Sequence, residues 1–298
     1  MVSPLVECVP NFSEGRDAAK IDAIADAIAA GGGTVLHRTL DPDHNRAVIT
    51  FIGHPDRIAE AALRGVGRAA ELIDLRDHRG VHPRIGGADV VPFVPLAGVT
   101  MDDCVRIAES AGERIATELG IPVYLYDRAA RRPENRSLAD IRRGEFEALR
   151  DLAVTDPLRR PDFGETLHPT AGASAVGARK ILIAFNVNLD SADLTAARTI
   201  ARKVRATSGG LPHVKAMGVL LRSRNIAQVS MNLTDFEVTP LHVAYDAVRA
   251  EAARLGVAIL ESEIIGLAPR EAVESAAAHY LRTPRIPTIE GQIERVPQ

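Results

Sequence analysis

Two histidines four residues apart, His78 and His82, stand in the polar run Asp77-His78-Arg79-Gly80-Val81-His82-Pro83-Arg84-Ile85-Gly86-Gly87-Ala88-Asp89. Pro83 stiffens the backbone after His82 and disfavours helix there. The glycines allow a ligand to come close to the chain. An imidazole fixed on such a loop, titrating at about 6.5 in its free form, is a candidate general acid/base. The plainer reading of His82 is a loop histidine bonded to backbone or solvent. A spacing of four suits two metal ligands only on a helix, and Gly80 and Pro83 argue against one; with no obvious third ligand, no metal is expected.

Three further clusters carry polar chemistry. Asp41-Pro42-Asp43-His44-Asn45-Arg46 joins two predicted strands. In it Asp43 can orient a histidine and Arg46 can grip a carboxylate, or the run is an ordinary solvated hairpin. Asn11-Phe12-Ser13-Glu14-Gly15 either caps the next helix or presents N–H groups to a ligand at its N-terminus. The run from Asp162 to Ala173 contains Gly164, His168, Thr170 and Gly172. Its composition suits a segment that covers a pocket. Gly172 to Gly177 is not a phosphate-binding loop, because no Gly-Lys-Ser/Thr follows.

The elements that must position these clusters follow from periodicity. Strands are expected at Leu5 to Pro10, Thr34 to Leu40, Arg46 to Ile52, Asp89 to Val94 and Ile121 to Tyr126. Helices are expected from Arg16 to Ala30, Pro55 to Leu72 and Thr100 to Leu119. From Arg128 to Gly177 the chain is rich in Arg, Pro, Gly and Asp, with one helix expected at Ser137 to Arg150. The order then recurs: strand Ile181 to Val187, helix Ser191 to Ala206, strands Lys215 to Arg222 and Ala227 to Leu233, a helix from Pro240 to Leu255, strand Val257 to Glu263, helix Pro269 to Tyr280. The reading is therefore an α/β chain of the α+β sandwich type: two similar β-α-β-β-α-β subdomains, residues 1–177 and 178–298, with the ligand cleft between them. Asn11 ends the first strand of one half as Asn186 and Asn188 end that of the other.

Composition bounds the function classes. The 298 residues are 46% apolar and 25% charged with a net charge of -3, an ordinary globular balance. That charge provides no basic field for nucleic acid, and 4% aromatic residues with no Trp provide no stacking platform. Only four of the 36 cationic residues are Lys, so bidentate Arg contacts prevail. Two cysteines without a Cys-x-x-Cys pair, no apolar run of ~18 residues and no leader pattern point to a reduced, cytoplasmic protein that does not enter a membrane. Fingerprints of dinucleotide enzymes, α/β hydrolases and zinc proteases are missing from the sequence.

Taken in order, several stretches resemble the glutamate formiminotransferase family, the transferase portion of formiminotransferase-cyclodeaminase. They include LVECVPNFSEG at 5–15, DPDHNR at 41–46, HPRIGGADVVPFVP at 82–95, PDFG at 161–164, GARK at 177–180, AFNVNL at 184–189 and AQVSMNLTDFEVTPLH at 227–242. The resemblance implies transfer of the formimino group from N-formimino-L-glutamate to N5 of tetrahydrofolate in histidine breakdown, with tetrahydrofolate as co-substrate and a homodimer as the assembly. It places the catalytic histidine at His82 and the folate-binding stretch at Gly164 to Gly172. That stretch is shorter here and has Ala171 where an aromatic can stand. On this reading Arg46 and Arg84 clamp substrate carboxylates. Asn11, Asn186 and Asn188 bond the pterin edge or the amidine, and Asn45 is a further candidate for binding substrate or folate. Asp41, Asp43 and Asp89 orient His82 or hold the amidinium. Formyl transfer between 5-formyltetrahydrofolate and glutamate in the same site, and a folate-binding protein without turnover, are the alternatives.

Overall fold

Val6 and Cys8 are buried while Leu5 and Glu7 are half-buried, the period-two pattern of a strand with one face on a core. The computed structural model describes residues 3–289. The chain divides into two compact units, 1–180 and 181–298, of which 1–2 and 290–298 lie outside the described residues.

In the first unit the opening strand comes as two pieces, β1 (Leu5–Cys8) and β2 (Asn11–Phe12), interrupted at Val9-Pro10. Both pair antiparallel with β4 (Arg46–Gly53) on one side and β5 (Ala88–Ala97) on the other. Strand β3 (Thr34–Asp41) forms the hairpin with β4. Helix α1 (Ala18–Ala30) starts at Asp17, whose carboxylate accepts from Ala19 and Lys20 N–H. Helix α2 (Pro55–Leu72) has proline in its first turn, where a missing N–H is harmless. Helix α3 (Met101–Leu119) opens on a Thr100–Asp103 capping box and stops at Gly120, whose φ is 66°. Ile21, Ile24 and Ile28 of α1 and Ile58, Val66 and Ala69 of α2 join Phe12, Phe51 and Phe93 in one core on the helix side of the sheet.

Beyond α3 the sheet gains two strands. β6 (Val123–Asp127) and β7 (Ser174–Ala178) run parallel to β5, with β7 between them. Sequence periodicity leaves β7 inside a loop region, for a physical reason. All its residues are buried small ones, and a Cβ on Gly177 would lie 2.3 Å from the Tyr126 carbonyl oxygen. A strand so tightly flanked holds only Ala, Val, Ser and Gly, which reads as loop. The single helix expected at Ser137 to Arg150 is two: α4 (Leu138–Ile141) and α5 (Glu145–Thr155). Positive φ at Gly144 (87°) and Glu145 (56°) breaks it. Ile141, Phe146, Leu149 and Ala153 pack with Leu75, Ile85, Val90, Tyr124 and Tyr126 in a further apolar cluster.

The second unit contains β8 (Ile183–Leu189), α6 (Leu194–Val204), β9 (Val214–Leu221), β10 (Ile226–Leu233), α7 (Leu241–Arg254), β11 (Ile259–Ile265) and α8 (Arg270–Leu281). Its antiparallel sheet runs β11-β8-β10-β9. The first unit has the same order in β5, β1/β2, β4 and β3. Both are split β-α-β units, and the first adds α3 to β7. Among the described residues no helix is long and apolar enough to cross a membrane.

Helix α6 lies on its sheet at Gly218, where a Cβ would sit 2.4 Å from the Arg198 backbone nitrogen. Gly218→Ala must lift the helix. It is expected to destabilise the second unit by about 1–3 kcal/mol, measured by urea unfolding against the unchanged chain.

Candidate active site

Asp89 stands near the start of β5 and is wholly buried. Its Oδ1 accepts the Ile85 N–H at 2.7 Å, and its Oδ2 accepts from Arg46 Nη1 at 2.9 Å and from Arg142 Nη2. Arg46 opens β4, and its Nε donates to Asn11 Oδ1 on β2 at 3.0 Å. Asn11 in turn donates to the Val9 carbonyl at 3.0 Å. Three adjacent strands thus each contribute one member of a polar chain. Burial lowers the Arg46 pKa to about 10, so it remains charged at neutral pH. Burial pushes the Asp89 carboxyl towards its neutral form, but the Arg142 and Arg46 charges and the Ile85 N–H outweigh it and hold the carboxyl well below the usual range.

His82 lies on the loop before β5, partly exposed, with Nδ1 2.8 Å from the Pro83 carbonyl oxygen. A carbonyl only accepts, so Nδ1 carries the proton and Nε2 the lone pair. Among the described residues Nε2 has no hydrogen-bond partner. Desolvation, then the Arg46 and Arg142 charges, lower the proton affinity of the ring well below its ordinary value; Asp89 opposes them, and His44, 5.9 Å away between ring centroids, adds to them. The result at neutral pH is an uncharged imidazole with a fixed tautomer and a free basic nitrogen, which can take a proton from a bound amine.

The loops that carry His82 are fastened by Asn45. Its Oδ1 accepts the Gly15 N–H at 3.0 Å, its Nδ2 donates to the Arg79 carbonyl at 3.1 Å, and its own carbonyl accepts from His78 Nε2 at 2.8 Å. Asn45 takes a left-handed backbone, φ 47°, that asparagine tolerates. Asp41 Oδ1 accepts the N–H groups of Asp43 and His44 at 2.9 and 2.8 Å, and the Asp43 carbonyl accepts from Val81 N–H. Gly15 and Gly80 press on this hairpin: Cβ atoms there would meet the Asp41 and His44 carbonyl oxygens at 2.1 and 2.2 Å.

His78 has a structural part. Its Nε2 is held by Asn45 and its Nδ1 accepts from Arg84 Nε at 3.1 Å, while burial lowers its pKa. Arg84 is engaged on every side, by His78, by both Glu147 oxygens at 2.7 Å and by Glu145 at 2.9 Å. These pairs pin the start of α5 to the His82 loop, as does the Phe146 N–H bonded to the Arg84 carbonyl.

The segment from Gly164 to Gly172 borders the same loop. Gly172 bridges Gly86, and Gly87 N–H donates to the Ala171 carbonyl at 2.9 Å. His168 and Gly172 close a tight turn through paired backbone bonds, with His168 Nδ1 accepting from Ala171 N–H at 3.0 Å and contacting Thr170 Oγ1 at 3.3 Å. Gly164, with φ 80°, through Thr166 are exposed. In the second unit Asn186 and Asn188 are buried on β8. They donate to Glu263 and Glu261 across the sheet, and Gln228 donates to Asn188 Oδ1 at 2.9 Å.

Of the residues singled out from sequence, Asn11, Arg46, Asp89 and His82 form one charge-coupled group, and Asp41, Asp43 and Asn45 shape the hairpin beside it. Sequence reasoning assigned no role to Arg142, Glu145 or Glu147. Their position depends on a helix break that no periodicity announces. Among the described residues no group of three or more His, Cys, Asp or Glu is placed to hold a metal ion.

Comparison with known proteins places these residues in a family context. Residues 5–179 match the formiminotransferase domain, N-terminal subdomain, and residues 184–295 match the formiminotransferase domain. The chain is 49% identical over 281 residues to a glutamate formimidoyltransferase of Thermoplasma acidophilum, covering 93% of this chain and 92% of that one. It is 45% identical to a glutamate formimidoyltransferase of Streptococcus pyogenes, covering 94% of each. It is also 45% identical to the rat formimidoyltransferase-cyclodeaminase, where 98% of this chain matches 55% of the longer protein.

Removing the Asp89 charge leaves Arg46 and Arg142 facing each other without a counterion. Asp89→Asn is expected to destabilise the first unit by about 3–5 kcal/mol, read from urea unfolding at neutral pH. Because the folded-state pKa of Asp89 is depressed, its stabilisation is complete above the unfolded value of about 3.9 and is lost as pH falls below it. The gap between variant and parent therefore closes on acidification.

Proposed function

The chain belongs to the formiminotransferase family, and from that premise we propose that it is an enzyme transferring the formimino group of N-formimino-L-glutamate to N5 of tetrahydrofolate, as in histidine breakdown. The observation that carries the reading is the free Nε2 of a neutral His82. The incoming N5 must lose a proton and the departing glutamate nitrogen must gain one. Nε2 takes the first as N5 attacks the amidine carbon, and the resulting imidazolium returns it as the carbon–nitrogen bond to glutamate breaks. The Pro83 carbonyl holds Nδ1–H throughout, so the ring does not turn away between the two transfers.

In this proposal desolvation and the two arginines keep His82 uncharged before reaction, and Asp89 compensates the arginines and favours the imidazolium once the ring has taken a proton. Asn11 is fixed by Arg46 at the rim of the same group. The segment Gly164 to Gly172 receives the pterin, an assignment supported by its backbone pairing to the His82 loop. The main share of the acceleration then comes from orienting two bound substrates, an effect worth roughly 7–11 kcal/mol where geometry is ideal.

The deciding assay supplies formiminoglutamate and tetrahydrofolate together and follows the folate product, with 5-formyltetrahydrofolate plus glutamate in parallel. Transfer from formiminoglutamate is expected. Product only in the parallel arm would replace the reading with formyl transfer, and folate binding without product in either arm would make it a binding protein. His82→Ala is expected to lower kcat by about 10²–10⁴-fold with tetrahydrofolate still bound; full activity would remove His82 from the reaction. A base with lowered proton affinity stays unprotonated to lower pH. The acid limb of kcat/KM is therefore expected below about 6.5, and a limb above that value would contradict the role.

A further inference from the structure

Arg142 lies on the turn between α4 and α5, where it reaches the carboxylate that Arg46 also holds. The side chains of Arg46 and Arg142 are 9% and 12% exposed and that of Asp89 is 0%. Among the described residues Asp89 is the only acid ion-paired to either guanidinium. Asp41, the cross-strand neighbour of Arg46, directs its Oδ1 to the N–H groups of Asp43 and His44. Glu145 and Glu147, just beyond Arg142, are held by Arg84. His82 and His44 on the same side supply no negative charge. Two nearly buried cations thus share one anion, and a buried charge without a partner is strongly unfavourable.

A second observation is independent of this charge count. The Nε of Arg142 is buried and has no acceptor, although buried donors are nearly always satisfied. An anion placed against Arg142 answers both deficits at once.

We propose that Arg46 and Arg142 together form a subsite for a substrate carboxylate beside His82, with Arg142 Nε–H as one donor. The proposal rests on the formimino-transfer reading, whose two substrates both carry carboxylates. Of the two, the donor fits better. In formiminoglutamate the α-carboxylate is attached to the carbon that bears the departing nitrogen, whereas the aminobenzoyl group separates the folate glutamate from N5. A carboxylate gripped next to the imidazole therefore holds the departing nitrogen within its reach. Arg84 is no rival, because Glu145, Glu147 and His78 already engage it.

The test measures binding of L-glutamate, tetrahydrofolate and tetrahydropteroate, which lacks the glutamate tail, to the full chain by calorimetry, with Arg142→Gln and Arg142→Lys beside the parent. Loss of one charged hydrogen-bond partner is expected to weaken L-glutamate by about 10–100-fold in Arg142→Gln, with partial recovery in Arg142→Lys, which keeps the charge without the fork. Tetrahydropteroate binding should not change, and KM for formiminoglutamate should rise while KM for tetrahydrofolate does not. Unchanged L-glutamate binding, or an equal loss for tetrahydropteroate, overturns the subsite. Loss for tetrahydrofolate alone, with tetrahydropteroate and L-glutamate intact, overturns the donor assignment and gives the subsite to the folate tail. Should both variants fail to fold, the parent still decides: L-glutamate must shift a slowly exchanging arginine Nε–H resonance, and no shift rejects the proposal. Parent chain that binds L-glutamate but transfers no formimino group counts against the proposed reaction and not against the subsite.

Discussion

The coupling of one buried carboxylate to two guanidinium groups organises the His82 side of the first unit. Asp89 gathers Arg46 from the neighbouring antiparallel strand and Arg142 from the long connection after β6. It therefore ties elements distant in the chain to one point on the first sheet. Desolvation first, and then the charges of the two arginines, lower the proton affinity of His82, which Asp89 opposes. Structure and chemistry share the interaction: the arginines that hold the connection against the sheet also help keep the imidazole uncharged.

Around that point the fold substitutes backbone contact for side-chain packing. Gly15, Gly80, Gly86 and Gly172 each stand where a Cβ would lie within about 2 Å of a carbonyl oxygen of another segment. The loops at 11–15, 41–46, 77–89 and 168–173 consequently meet main chain to main chain. Asn45 completes the arrangement with hydrogen bonds to two of them. Such a framework positions His82 through many short, directional bonds, which suits a group that must present one nitrogen in one direction.

Much of this was legible in the sequence, unevenly. Regular helices with good caps, such as α2 and α3, and strands with clean alternation, such as β1, follow from local pattern, and so does the recurring order of elements in the second unit. The His82 loop was visible because histidine, proline and glycine concentrate there. β7 was not, since a strand squeezed between two neighbours is composed of residues that favour loops. The break at Gly144 was not: positive φ at Gly144 and Glu145 interrupts the helix, and Arg84 holds Glu145 and Glu147 there from outside it. Arg142 was hidden for the same reason: its place is set by a tertiary contact. Arg84 looked like a carboxylate clamp by type, and only its bonds to His78 and the two glutamates reveal what it fastens.

The tight glycine contacts bear on how such a protein can change over generations. Where main chains touch directly, a new side chain has nowhere to go, so the walls near the imidazole are almost closed to innovation by point replacement. The stretch from Glu165 to Thr166 differs, for it faces solvent. Lengthening, shortening or recolouring that rim leaves the imidazole and the contacts around it undisturbed, and divergence among descendants of this architecture should concentrate there.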